Sequence, residues 1–144
     1  MYSGFLQLHD ILRWFVLLAL VITLVKYLTS WLGNHSWKKT DNILAIVFTS
    51  IMDIQLLTGL ALYFFLSPLT KIAFSDMGAA MKNADLRFYA VEHIFLMLIA
   101  VVLVHIGRAK SKKALFDVSK FKIALIYFSL AFVLVIVGIP WGRM

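Results

Sequence analysis

Two histidines occupy matching depths in two long apolar runs, His9 in LQLHDILRW and His93 in RFYAVEHIFLM. An ionisable side chain inside a membrane segment is costly and marks a functional site by default. In a chain that crosses a bilayer four times, the first and third segments run in the same direction. Both imidazoles then lie in one leaflet and face each other across the bundle interior. Two imidazoles so placed have the chemistry to hold a haem iron from both sides, leaving no open iron position, which suits electron transfer. The metal ligands on this reading are His9 and His93, and the cofactor is haem.

Neighbouring residues extend the constellation. Arg13 lies one turn beyond His9 on the same helix face and needs an anionic partner, for which Glu92 and a haem propionate are the candidates. Gly59 and Gly138 fall in the same leaflet on the other two segments. A glycine lets the backbone approach a bulky group closely, so both are candidate cofactor contacts. Glycine also serves ordinary helix packing in membranes. His9-Asp10 and Glu92-His93 form two acid–imidazole dyads that suggest a metal-only site for zinc, iron or manganese. Adjacent residues on a helix diverge by about 100°, which ranks that site below haem.

His105, in VLVHIGR, is a further candidate cofactor contact. It stands twelve residues from His93, about 18 Å along a helix, so the two cannot share an iron. His35, in the GNHSW turn, would have to partner His105 at a second haem. Its polar surroundings argue for solvation instead. Asp53 and Gln55, in SIMDIQLLTG, are expected to be buried near mid-membrane, as a proton relay, a quinone contact or a helix–helix hydrogen bond. No nucleophile elbow, P-loop or HExxH motif is present.

The elements that must position these groups follow from length and hydropathy. The 144 residues have a mean hydropathy of +0.93. A membrane span needs about 20 apolar residues, and four segments qualify, roughly 5–32, 43–66, 87–107 and 121–141. The expected architecture is all-α: a single integral membrane domain over 1–144, an up-down bundle of four transmembrane helices with its first and third members on a diagonal. Asp41 or Thr40 is expected to cap the second helix, Ser67-Pro68 to stop it, and Gly107 to end the third. Residues 69–86 read either as an interfacial helix or as a plain loop. The tryptophans and most tyrosines sit near segment ends, as in aromatic belts.

Charge sets the orientation. The connections after the first and third segments carry Lys38, Lys39, Arg108, Lys110, Lys112, Lys113, Lys120 and Lys122 against Asp41 and Asp117. The opposite side carries Lys71, Lys82, Arg87 and Arg143, offset by Asp76 and Asp85. Lys and Arg favour the cytoplasmic side, so both termini are expected in the periplasm of a bacterial inner membrane. The run RAKSKK reads as an orientation signal on lipid headgroups, not as a nucleic-acid site. The N-terminus lacks the basic n-region of a signal peptide, so the first segment is expected to be retained. The absence of Cys excludes a disulfide, a thiolate-held cluster and a c-type haem attachment.

The strings LHDILRWFVLL, QLLTGLALYF and VEHIFLMLIAVVLVHIGR together resemble short four-helix membrane proteins of Bacteroidota described as cytochrome b-like. The resemblance runs over nearly the whole chain. It implies b-type haem and makes His9, His93 and His105 candidate ligands. In size and helix count the chain is also similar to the bacterial haem-binding protoporphyrinogen oxidase. It lacks the tyrosine- and arginine-rich first-helix motif expected there. The function expected is electron transfer, with a quinone or a periplasmic redox protein as partner. The competing class is a cofactor-free accessory subunit of a larger membrane complex.

Overall fold

The computed structural model describes residues 1–143. Four helices are long and apolar enough to cross a bilayer: α1 (Tyr2–Leu32), α2 (Lys39–Leu66), α5 (Ala84–Lys113) and α6 (Asp117–Gly138). Between α2 and α5 lie two short helices, α3 (Pro68–Ser75) and α4 (Met77–Ala80). The connection over 69–86 is therefore helical. Consecutive spans are neighbours and α6 also packs on α1, so α1 and α5 stand on a diagonal. This is the expected all-α four-helix membrane bundle.

Each span buries one narrow stripe. On α1 it is Val16, Leu20, Thr23, Tyr27 and Ser30; on α6 it is Phe121, Ala124, Phe128, Ala131, Val135 and Gly138. The alternating steps of three and four residues are those of knobs-into-holes packing. The remaining faces are also apolar and stay exposed for lipid.

The two ends of the bundle differ. Toward the 33–38 turn the core is a packed aromatic cluster. Tyr27 lies 5.5 Å from Phe121 and Phe48 lies 5.2 Å from Phe128, ring centre to ring centre. The Tyr27 hydroxyl donates to the Asp41 carbonyl at 2.5 Å. The fully buried Asp41 carboxylate accepts from the Lys38 backbone amide at 2.9 Å and from Lys26 Nζ at 2.8 Å. The N-terminus of α2 is thus capped from its third residue. At the opposite end the helices separate around a cavity, over which α3 and α4 pack through Ala73, Ala80 and Ala90.

Two boundaries differ from expectation. Gly107 does not end α5, which continues to Lys113 and places Lys110, Lys112 and Lys113 in its last turn. Cations are favourable at that C-terminal pole. Gly107 lies inside the helix, where a Cβ would collide with Tyr127 of α6. Its role is close helix packing. The fourth span begins at Asp117, whose charge suits a first turn, and stops at Gly138, two residues before Pro140.

Candidate cofactor-binding site

Two irregular turns shape the open end. The last turn of α2 (Leu62–Leu66) and an early turn of α5 (Phe88–Glu92) are π-helical. Such turns widen the ring and leave carbonyls without their usual donors. Here side chains supply them. The Tyr63 hydroxyl donates to the Ala90 carbonyl at 2.5 Å, and the Thr70 hydroxyl donates to the Tyr63 carbonyl at 2.7 Å. The second π turn ends immediately before His93 and so sets the direction of that side chain.

His9 and His93 come together as their depths suggest. Their ring centres are 6.3 Å apart, with planes at 79°. A metal–imidazole bond of roughly 2.0–2.1 Å, with about 1.1 Å more from nitrogen to ring centre, puts two opposed imidazoles about 6 Å apart. The distance between the ring centres is of that order.

Hydrogen bonds fix both rings. His93 Nδ1 donates to the Gly138 carbonyl oxygen at 2.7 Å. His9 Nδ1 lies 3.3 Å from Thr58 Oγ1, whose own proton goes to the Gln55 carbonyl at 2.8 Å. The threonine oxygen is therefore the acceptor for His9. In both rings Nδ1 carries the proton and Nε2 keeps its lone pair. Metal-binding histidines are commonly oriented in this way by a carbonyl or another acceptor on the second nitrogen. Gln55 also donates from Nε2 to the His9 carbonyl at 2.8 Å, tying α2 to α1 at this level.

The two glycines act differently from each other. A Cβ on Gly59 would stand 3.0 Å from His9 Cε1, so the missing side chain is the seat of the imidazole. Gly138 leaves room for Met97 and contributes its carbonyl to His93. Each touches a histidine.

The histidines line a cavity of about 450 Å³, together with Arg13, Gln55, Tyr63 and Thr70 and an apolar wall that includes Leu60, Met97 and Val101. That volume falls within the roughly 300–1,000 Å³ usual for small-molecule and cofactor sites. Arg13 is only 14% exposed and meets Asp10 at 3.5 Å. Its Nε is buried without a hydrogen-bond partner among the described residues. The expected contact with Glu92 is not made, because Glu92 pairs with Arg87 at 2.7 Å. Arg87 is five residues before Glu92 on the same helix and reaches it first. The cavity therefore holds a cation with an unmet donor and two lone-pair nitrogens.

The other sequence candidates lie elsewhere. His105 is not in the cavity; its Nε2 meets Asp53 Oδ1 at 2.6 Å, with the side chains 49% and 45% exposed. Asp53 is thus on the outer face and not buried. It follows the buried Met52 by one residue, and His105 follows the buried Val104, so each is turned about 100° from the core stripe. His35 is exposed in the turn after α1 and pairs with neither. Among the described residues no group of three or more His, Cys, Asp or Glu side chains is arranged to hold a metal ion. The two acid–imidazole dyads do not converge. Thr58, Tyr63 and the π turns are site elements that sequence reasoning did not single out. The string QLLTG, with Thr58 three residues after Gln55 and next to Gly59, was the available signal.

Fold and site together define a multi-pass α-helical membrane protein with a two-histidine cavity near one end of the bundle. No family model, curated protein or solved structure matches the chain.

Proposed function

We propose that the cavity binds haem b between His9 and His93 and that the protein carries electrons, in the manner implied by its resemblance to cytochrome b-like membrane proteins. The observation that carries this reading is the 6.3 Å approach of two imidazoles whose Nδ1 atoms are both engaged elsewhere. Haem, when bound, supplies a one-electron ferric–ferrous couple. The chain's own residues do the rest. His9 and His93 present Nε2 lone pairs, and Thr58 and Gly138 hold the rings in the required tautomer. Arg13 offers its unmet Nε–H to a propionate. Leu60, Met97 and Val101 keep water from the ring.

Haem held by both imidazoles would have no open iron position, which would disfavour oxygen chemistry and suit electron transfer. The setting proposed is a bacterial inner membrane with both termini in the periplasm, resting on the Lys/Arg bias of the connections at the opposite end. The partner is a quinone from the bilayer or a periplasmic redox protein. A visible spectrum of protein purified from haem-replete cells tests the reading. A Soret band with sharp reduced α and β bands at one haem per chain is the expected result. A featureless spectrum overturns it and favours the accessory-subunit class.

A further inference from the structure

The Asp53–His105 pair belongs to no part of the haem reading. It joins α2 to α5 on the outside of the bundle, and both side chains are about half exposed. Asp53 stands fourteen residues from Lys39 and thirteen from Leu66, the ends of its span. At 1.5 Å per residue that is about 20 Å from either end, so the carboxylate faces the hydrocarbon near mid-bilayer. An ionisable pair left against lipid there is costly, and such groups are normally turned to protein or water.

The pair is also incomplete. Its one hydrogen bond uses Asp53 Oδ1 and His105 Nε2, leaving Asp53 Oδ2 and His105 Nδ1 without a partner among the described residues. As an ion pair it presents one acceptor and one donor side by side, which makes the face complementary to itself. The surrounding residues are spaced for helix packing. Ser50, Asp53 and Leu57 on α2, and Val102, His105 and Ala109 on α5, follow steps of three and four along the outer surface. Ser50 and Ala109 are small enough for a close backbone approach.

We propose that this face is the contact surface for a second copy of the chain, forming a two-fold dimer in the membrane. Asp53 Oδ2 of each copy accepts from His105 Nδ1 of the other. A two-fold axis along the membrane normal keeps both copies in the same orientation and brings α2 of one opposite α5 of the second at equal depth. The depth offset that the pair bridges within one chain is then the offset between chains. The four groups close into one ring of hydrogen bonds that lipid does not reach.

The chain contains no cysteine, so introduced thiols report contacts without background. Full-length Ser50→Cys and Val102→Cys copies, carrying different tags, are co-expressed and oxidised in native membranes. A disulfide-linked pair carrying both tags is expected. Val133→Cys, on the exposed outer face of α6, serves as the control and stays monomeric. Adding Asp53→Leu and His105→Leu to the reporter chains lowers the cross-linked yield at least fivefold, while helicity and thermal stability hold. Asp53→Asn, which leaves one acceptor oxygen for the two donors, lowers it as well. A Ser50–Val102 yield no higher than the control overturns the proposal. So does an unchanged yield in the double-leucine chains, or a native mass of one chain with a small lipophilic molecule bound at this face.

Discussion

His93 Nδ1 donates to the carbonyl oxygen of Gly138 at 2.7 Å, across the seam between α5 and α6. That carbonyl has no helical backbone donor because α6 stops at Gly138 and the chain leaves the helix at Ile139. A helix terminus thereby fixes the tautomer of an imidazole on its neighbour. Two features readable separately in the sequence, a terminal Gly-x-Pro and an intramembrane His, become one element of the site.

Replacing either ring should remove the proposed cofactor's low-spin state. His9→Ala and His93→Ala are each expected to abolish the sharp reduced α band, because either removes one of the two imidazoles that would hold the iron. His35→Ala and His105→Ala should leave it intact, the first being exposed and the second engaged with Asp53. Spectra of the four variants with pyridine-haemochrome quantification check this. Full bis-imidazole haem in His9→Ala would refute the two-helix clamp.

The fold was legible because membrane spans declare themselves by length and hydropathy, and helix parity alone put His9 and His93 in one leaflet. Helix phase was not legible. A span that is apolar on every face has no polar side to mark its outside, so Asp53 was expected inside although it lies one residue past the buried Met52. Gly107 read as a terminus because glycine ends many helices; only its contact with Tyr127 reveals a packing role. The π turns had no sequence signature either. The carbonyls they free are met by Tyr63 and Thr70, contacts that only the fold brings together.

Thr58 offers a way to tune the site without removing a ligand. Its hydroxyl oxygen accepts from His9 Nδ1 and so increases the electron-donating character of that imidazole. Thr58→Val keeps the shape and deletes the acceptor. A net hydrogen-bond contribution of about 0.5–1.5 kcal/mol corresponds to roughly 20–65 mV for a one-electron couple. The midpoint potential should rise by that amount, since the oxidised iron loses support. Redox titration of wild type against Thr58→Val measures it, and a fall in potential contradicts the assignment.

Asp41 should matter for stability and not for the site. Its carboxylate is fully buried, accepts from the Lys38 amide and from Lys26 Nζ, and lies at the packed end of the bundle. Asp41→Ala removes a helix cap and strands one partner of a pair, though Lys26 remains 38% exposed and partly solvated. The expected loss is roughly 2–4 kcal/mol. Unfolding in mixed micelles should show it, with His9–His93 spectroscopy unchanged in the folded fraction.

Orientation is testable without any cofactor. Reporter tags at either terminus should show a periplasmic location, and one in the turn between α5 and α6 a cytoplasmic one, following the Lys/Arg bias. The reverse pattern would move the two-histidine cavity to the cytoplasmic leaflet and exclude a periplasmic redox partner.

Arg13 is the sharpest test of the cavity's occupant. It is nearly enclosed, and among the described residues its only anionic contact is a 3.5 Å approach to Asp10 and its Nε has no acceptor. Burying a guanidinium N–H without a partner costs of order 1–3 kcal/mol, which a propionate at that position would offset. A positive charge beside the iron also stabilises the reduced state. Arg13→Leu should therefore lower haem retention or shift the midpoint potential downward, while Arg13→Lys, which keeps the charge without the planar fork, should retain more of both. Haem stoichiometry and redox titration of the two variants decide the matter. Unchanged haem content and potential in Arg13→Leu would make this side chain an interface anchor whose head reaches toward water.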